Sequence, residues 1–182
     1  MYTRKAKRIG LTTAELTVFA MLGTIMYLSK FLTAALPNIH LLALFIAAFT
    51  LTYRAKALIP LYVYILIEGV SCGFAMWWMP YLYIWAALWG AVMLISRLKL
   101  PRKFLIIACM IVCGLHGLSF GTMYAPAQAL MYGLNLKQTM AWIAAGLWFD
   151  VAHGVGDFFA AALVFPLHEL LKKLEKSKAK IF

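Results

Sequence analysis

An all-α integral membrane protein of about six transmembrane helices, with both termini cytoplasmic, is the fold class that this sequence predicts. Three observations predict it. First, 65% of the 182 residues are hydrophobic and only 13% are charged, where soluble domains run at about 45–50% and about 25%. Second, basic clusters and Pro/Gly breaks cut the chain into apolar runs near the ~20 residues that span a bilayer as a helix. Third, lysine and arginine gather on alternate connections between those runs. There is no comparable polar region that could form a soluble domain, so residues 1–182 read as one membrane-embedded domain.

The runs fall at 12–31, 38–53, 57–75, 80–96, 103–126 and 139–171. The basic start MYTRKAKRIG precedes a full-length apolar run with no small-residue cleavage site, which reads as a first transmembrane helix rather than a cleaved signal peptide. Thr12-Thr13-Ala14-Glu15 is a capping-box pattern that starts this helix. Asn38, after Pro37, is positioned to cap the second run, which is short for a full span. In the fourth, Pro80 stiffens the turn that leads in. The sixth is long enough to begin outside the hydrocarbon or to break near Gly146 or Gly154.

With an inside N-terminus, the cytoplasmic side receives Arg4, Lys5, Lys7, Arg8, Arg54, Lys56, Arg97, Lys99, Arg102, Lys103, Lys172, Lys173, Lys176, Lys178 and Lys180. Of the 17 basic residues, this leaves Lys30 and Lys137 outside. The positive-inside rule therefore selects cytoplasmic termini, and topology accounts for the net charge of +11. Contact with anionic headgroups follows. Nucleic-acid binding is not expected, because the basic residues are split among four stretches that carry no binding motif.

The third loop, FAMWWMPYLYIW at 74–85, brings Trp77, Trp78, Tyr81, Tyr83 and Trp85 to the outer interface. Such a cluster is either an aromatic belt at headgroup level or a flat wall for a ring-shaped ligand. The stretch LWFDVAHGVGDFF at 147–159 sets Trp148 and three ionisable groups into an apolar run. Asp150, His153 and Asp157 share one helical face, which must look into the protein or a wet cavity. His153 then either satisfies the aspartates or faces a ligand. Glu68 falls in the same outer half, where Asn38, His40, His116 and Tyr124 are possible partners.

Other motifs resolve toward packing. GLSFG at 117–121 matches the G-x-S-x-G nucleophile pattern but lies within a helix rather than at a strand–helix turn. Gly117-x-x-x-Gly121 reads instead as a close-packing motif, and no catalytic residue is assigned. Cys109, Cys113 and His116 could share a soft metal, but two small packing residues and one polar one are the preferred reading, as small hydrophobes are for all three cysteines, Cys72 included. No metal or cofactor is expected. A P-loop is absent from the sequence, so the chain cannot hydrolyse ATP through one of its own.

The six-helix layout, LPNIHLLALFIAAF, EGVSCGFAMWWMPYLYIW and FDVAHGVGDFFAAALVF together resemble the S components of energy-coupling factor (ECF) vitamin transporters, over nearly the whole chain. The resemblance implies a plasma-membrane subunit, not an enzyme, that binds a vitamin-like small molecule in a pocket open to the outside. It implies docking on a membrane T component that carries two ATPases. That family docks through small residues of the first helix; the nearest match here is Ala20-x-x-x-Thr24, with Gly23 alongside. Asp150 and His153 would be pocket contacts near the loop aromatics. The competing expectations are a stand-alone proton-coupled transporter using Asp157, Asp150 or Glu68, and an intramembrane enzyme.

Overall fold

The computed structural model describes residues 11–33, 35, 36 and 39–181, the last four as backbone only. The basic start and Asn38 lie outside these residues. Every regular element among the described residues is helical. Five helical stretches are long and apolar enough to cross a membrane: Thr13–Leu32, Leu42–Cys72, Met76–Ile95, Arg102–Tyr132 and Leu136–Ser177.

Breaks divide these stretches into eight α-helices: α1 (Thr13–Leu32), α2 (Leu42–Tyr53), α3 (Leu58–Cys72), α4 (Tyr81–Ile95), α5 (Arg102–Leu118), α6 (Phe120–Tyr132), α7 (Leu136–Ala160) and α8 (Val164–Ile181). The capping box of α1 is formed: the Thr12 hydroxyl accepts from the Glu15 N–H, and the Thr12 N–H donates to the Glu15 carboxylate. Between α2 and α3 the chain turns at Arg54, whose φ of 59° is costly for an L residue. That turn is held by the Trp89 indole donating to the Arg54 carbonyl and by the Arg54 guanidinium donating to Ser96.

Two ion pairs fix the helix directions. Glu15 at the start of α1 meets Lys56 just before α3, and Lys30 near the end of α1 meets Glu68 near the end of α3. The two helices therefore run parallel, and α2 must return between their opposite ends. At 12 residues α2 is about 18 Å long, short of a ~30 Å hydrocarbon core. Non-helical residues 39–41 cover part of the remaining distance. Irregular backbone at such depth is tolerated where it lines a cavity.

Apolar side chains point outward as well as inward. On α5, Phe104, Ile107, Ile111 and Leu115 are exposed, while Cys109, Cys113, His116 and Gly117 on the opposite face are buried. This inside-out pattern suits a lipid-facing surface. Helices α5 and α7 approach closely: a Cβ added at Gly117 would stand 2.7 Å from the Gly154 Cα. The small-residue packing expected of Gly117 is thus present, with Gly154 as its partner.

Three boundaries differ from the sequence reading. The N-cap of α2 is Leu41, without a side-chain cap, so Asn38 does not start that helix. The fifth run continues through Pro126 to Tyr132 and stops at Gly133, whose φ of 64° ends a helix readily. The sixth starts earlier, on an Asn135–Gln138 capping box, and its break falls at Ala161–Leu163. Gly146 and Gly154 lie inside α7, because Gly154 serves the contact with α5 rather than a bend.

Candidate functional site

A cavity of about 430 Å³ opens among α1, α3, α4, α6, α7 and the stretch before α2. Its size lies within the range of small-molecule sites. It lies at the end of the bundle where α1 and α3 finish, beside exposed Cys72. The remaining cysteines, Cys109 and Cys113, are buried in the apolar core, as packing residues should be.

Five predicted site residues line this cavity: His40, Glu68, Tyr81, Asp150 and His153. His40 comes from the irregular stretch before α2, and its ring meets His153 edge-on at 4.6 Å between centroids. Glu68 is 2% exposed and bonds Lys30, whose ammonium also lies 5.8 Å from the Tyr81 ring centre. This pair puts one fixed cation and one fixed anion on the wall.

Asp150 is held by backbone. The chain breaks between α5 and α6 at Ser119, which frees the N–H groups of the first turn of α6. Both Asp150 oxygens accept from the Gly121 N–H, at 3.0 and 3.2 Å. A carboxylate at a helix N-terminus is favoured by the orphan N–H groups and by the helix dipole. The absence of a side chain at Gly121 allows this approach: a Cβ would come 2.4 Å from the Asp150 carboxylate and displace it. Ser119 itself donates to the Leu115 carbonyl, within the helix break.

The other described residues expected at the site do not line this cavity. The Trp78 indole donates to the Ile65 carbonyl and packs beside Gly69. Trp77 offers its carbonyl to the Tyr124 hydroxyl, while Tyr124 stacks on Trp142. Tyr83 is exposed and donates to the Met123 carbonyl. His116 bonds the Ile84 carbonyl behind Trp85. Trp148 is 76% exposed on the outer face of α7, because it lies off the Asp150–His153–Asp157 stripe. On α1, Ala20 and Thr24 are exposed as docking would need, but Gly23 turns inward, with Val63 and the Pro60 carbonyl of α3 against it.

Sequence reasoning missed Lys30, Tyr27, Tyr64 and Phe120 as lining residues. For Lys30 a signal existed: it and Glu68 are opposite charges at the same predicted depth. The orphaned polar atoms mark the same region. Among the described residues, buried side-chain N and O atoms without a hydrogen-bond partner belong to His40, Tyr64, Glu68, Trp85, His116, His153 and Asp157. Five of these residues line the cavity; His116 is in ring contact with Trp85 and Asp157 adjoins His153. Native proteins leave few such groups unpaired, and those they leave call for an explanation.

The arrangement can bind: it offers a cation, two carboxylates, two imidazoles and aromatic walls to a solute. No family model matches the chain, and no curated protein or solved structure matches it.

Proposed function

We propose that this chain is the substrate-binding membrane subunit of an ECF-type, ATP-driven importer, taking a vitamin or related micronutrient from outside the cell. In this reading α1, α2, α3, α4, α5–α6 and α7–α8 make six crossings of the plasma membrane, with both termini cytoplasmic. The observation that carries it is the cavity at the end of the bundle poor in lysine and arginine. Lys30 lies at that end, while Arg54, Lys56, Arg97 and Arg102 gather at the other. By the positive-inside rule, the cavity then faces out.

A site with aromatic walls, one ion pair and a few orphaned polar atoms suits tight capture of a polar heteroaromatic solute. It supplies orientation without a nucleophile and base in contact. Exposed Ala20 and Thr24 leave a small-residue face on α1 for the T component, which brings two ATPases. The test is to express the chain with and without these partners. The reading expects co-purification with the T component, ATP-dependent uptake, and a bound small molecule identified by mass spectrometry. Uptake by the chain alone that collapses with the proton gradient would overturn it. That result would favour a proton-coupled transporter, which buried Asp157 supports.

A further inference from the structure

A cluster bordering the cavity carries a second feature, independent of the importer reading; His40 and His153 line the cavity and Asp157 adjoins His153. His40, His153 and Asp157 each bring a ligand-type atom within 4.8 Å of the other two. His153 is 4% exposed and Asp157 1%. Asp157 and His153 are i, i+4 neighbours on α7, with the His153 Nε2 3.2 Å from the Asp157 Oδ2. That contact falls short of a well-aligned hydrogen bond. A ring nitrogen of each histidine and both Asp157 oxygens consequently have no hydrogen-bond partner.

An i, i+4 pair whose purpose was mutual satisfaction would complete that bond. A buried carboxylate whose one polar neighbour is a poorly aligned imidazole is costly unless a cation compensates it. The nearby lysine, Lys30, is engaged by Glu68. Two imidazoles and one carboxylate are a ligand set for divalent first-row metals. Zn–N and Zn–O bonds of about 2.0–2.2 Å place tetrahedral ligands about 3.4 Å apart. The 3.2 Å pair already meets this, and His40 needs to close by at most about 1.4 Å.

We propose that His40, His153 and Asp157 form a divalent transition-metal site bordering the cavity. Three protein ligands leave further coordination positions, and His40 and His153 both line the cavity, so these positions face it. A solute with a nitrogen or oxygen donor would complete the shell. The site joins α7 to the irregular stretch before α2, so metal would also fix that stretch.

The test uses tag-free protein in detergent, stripped with chelator and titrated with Co²⁺, then Zn²⁺. The expected result is one metal per chain, with Co²⁺ absorption bands showing nitrogen and oxygen ligands. Removing an outer-shell partner alone typically costs 10–100-fold in metal affinity. Removing a ligand, in His40→Gln or Asp157→Asn, should therefore cost about 100-fold or more. Glu15→Gln, at the other end of the bundle, should bind as wild type does. His40 lies outside the helices, so His40→Gln keeps the test available if Asp157→Asn fails to fold. The proposal is overturned if wild type takes up no stoichiometric metal, or if folded His40→Gln binds it equally well.

Discussion

Two lysine–glutamate pairs join α1 to α3, one at each end of the bundle, in opposite surroundings. Glu15 and Lys56 have side chains 28% and 49% exposed, and Glu15 also closes a capping box. In the other pair the Glu68 side chain is 3% exposed and that of Lys30 35%. Around the first pair, polar groups are satisfied: Arg54 bonds Ser96, Trp89 bonds the Arg54 carbonyl, and Thr52 lies 2.8 Å from the His168 Nδ1. Around the second lie the orphaned atoms of His40, Tyr64 and Trp85. The same chemistry thus closes the bundle at one end and lines a cavity at the other. What differs is how completely each neighbourhood satisfies itself.

Breaking the two pairs should separate them by magnitude. Lys30→Met leaves the Glu68 charge buried alone and should cost about 3 kcal/mol, read as thermal unfolding in detergent. Adding Glu68→Gln removes the stranded charge, so the double variant should recover most of that stability while losing solute binding. Recovery of binding as well would show that the pair is structural only.

A smaller effect is expected at Asp150. Asp150→Ala uncaps α6 and should cost about 1–2 kcal/mol. Asp150→Asn keeps an acceptor for the Gly121 N–H and should cost less than half as much. Its effect on solute binding would isolate the role of the charge. Equal loss of stability in both variants would contradict the capping geometry.

At the satisfied end, Glu15→Gln preserves the capping box and removes the ion pair. It should change stability by less than about 1 kcal/mol, as exposed pairs do. Ala20→Trp, on the exposed face of α1, should be nearer zero by the same measurement, since surface changes usually stay within about 0.5 kcal/mol. It should nevertheless block assembly with the T component and so block uptake. Retained uptake would remove α1 from the docking surface.

The sequence made some of this contrast legible. The Thr12–Glu15 box and the Asp150–His153–Asp157 stripe follow from local periodicity, and the structure keeps both; of the six apolar runs, the second and third fall within one continuous stretch, Leu42–Cys72. Glu68 stood out as an acid in an apolar run, and it lines the cavity. The partner of Asp150 was not readable, because it is a main-chain N–H exposed by the helix break at Ser119. Nor could the aromatic cluster be divided: the Trp78 and Tyr83 side chains are taken up by backbone carbonyls that only the packed turn presents and the Trp77 ring packs on Tyr81, whereas Tyr81 and Trp85 reach the cavity. Gly154 suggested a bend to the eye, but a glycine in a helix also allows a second helix to approach, and here it does.

The central claim is that the cavity opens to the outside, and a native residue reports on it. Cys72 is exposed at the cavity mouth, while Cys109 and Cys113 are buried. In intact cells, a membrane-impermeant maleimide should label wild-type protein at Cys72 and leave Cys72→Ser unlabelled. Labelling of Cys72 only after the membrane is permeabilised would place the cavity on the cytoplasmic side and contradict the account.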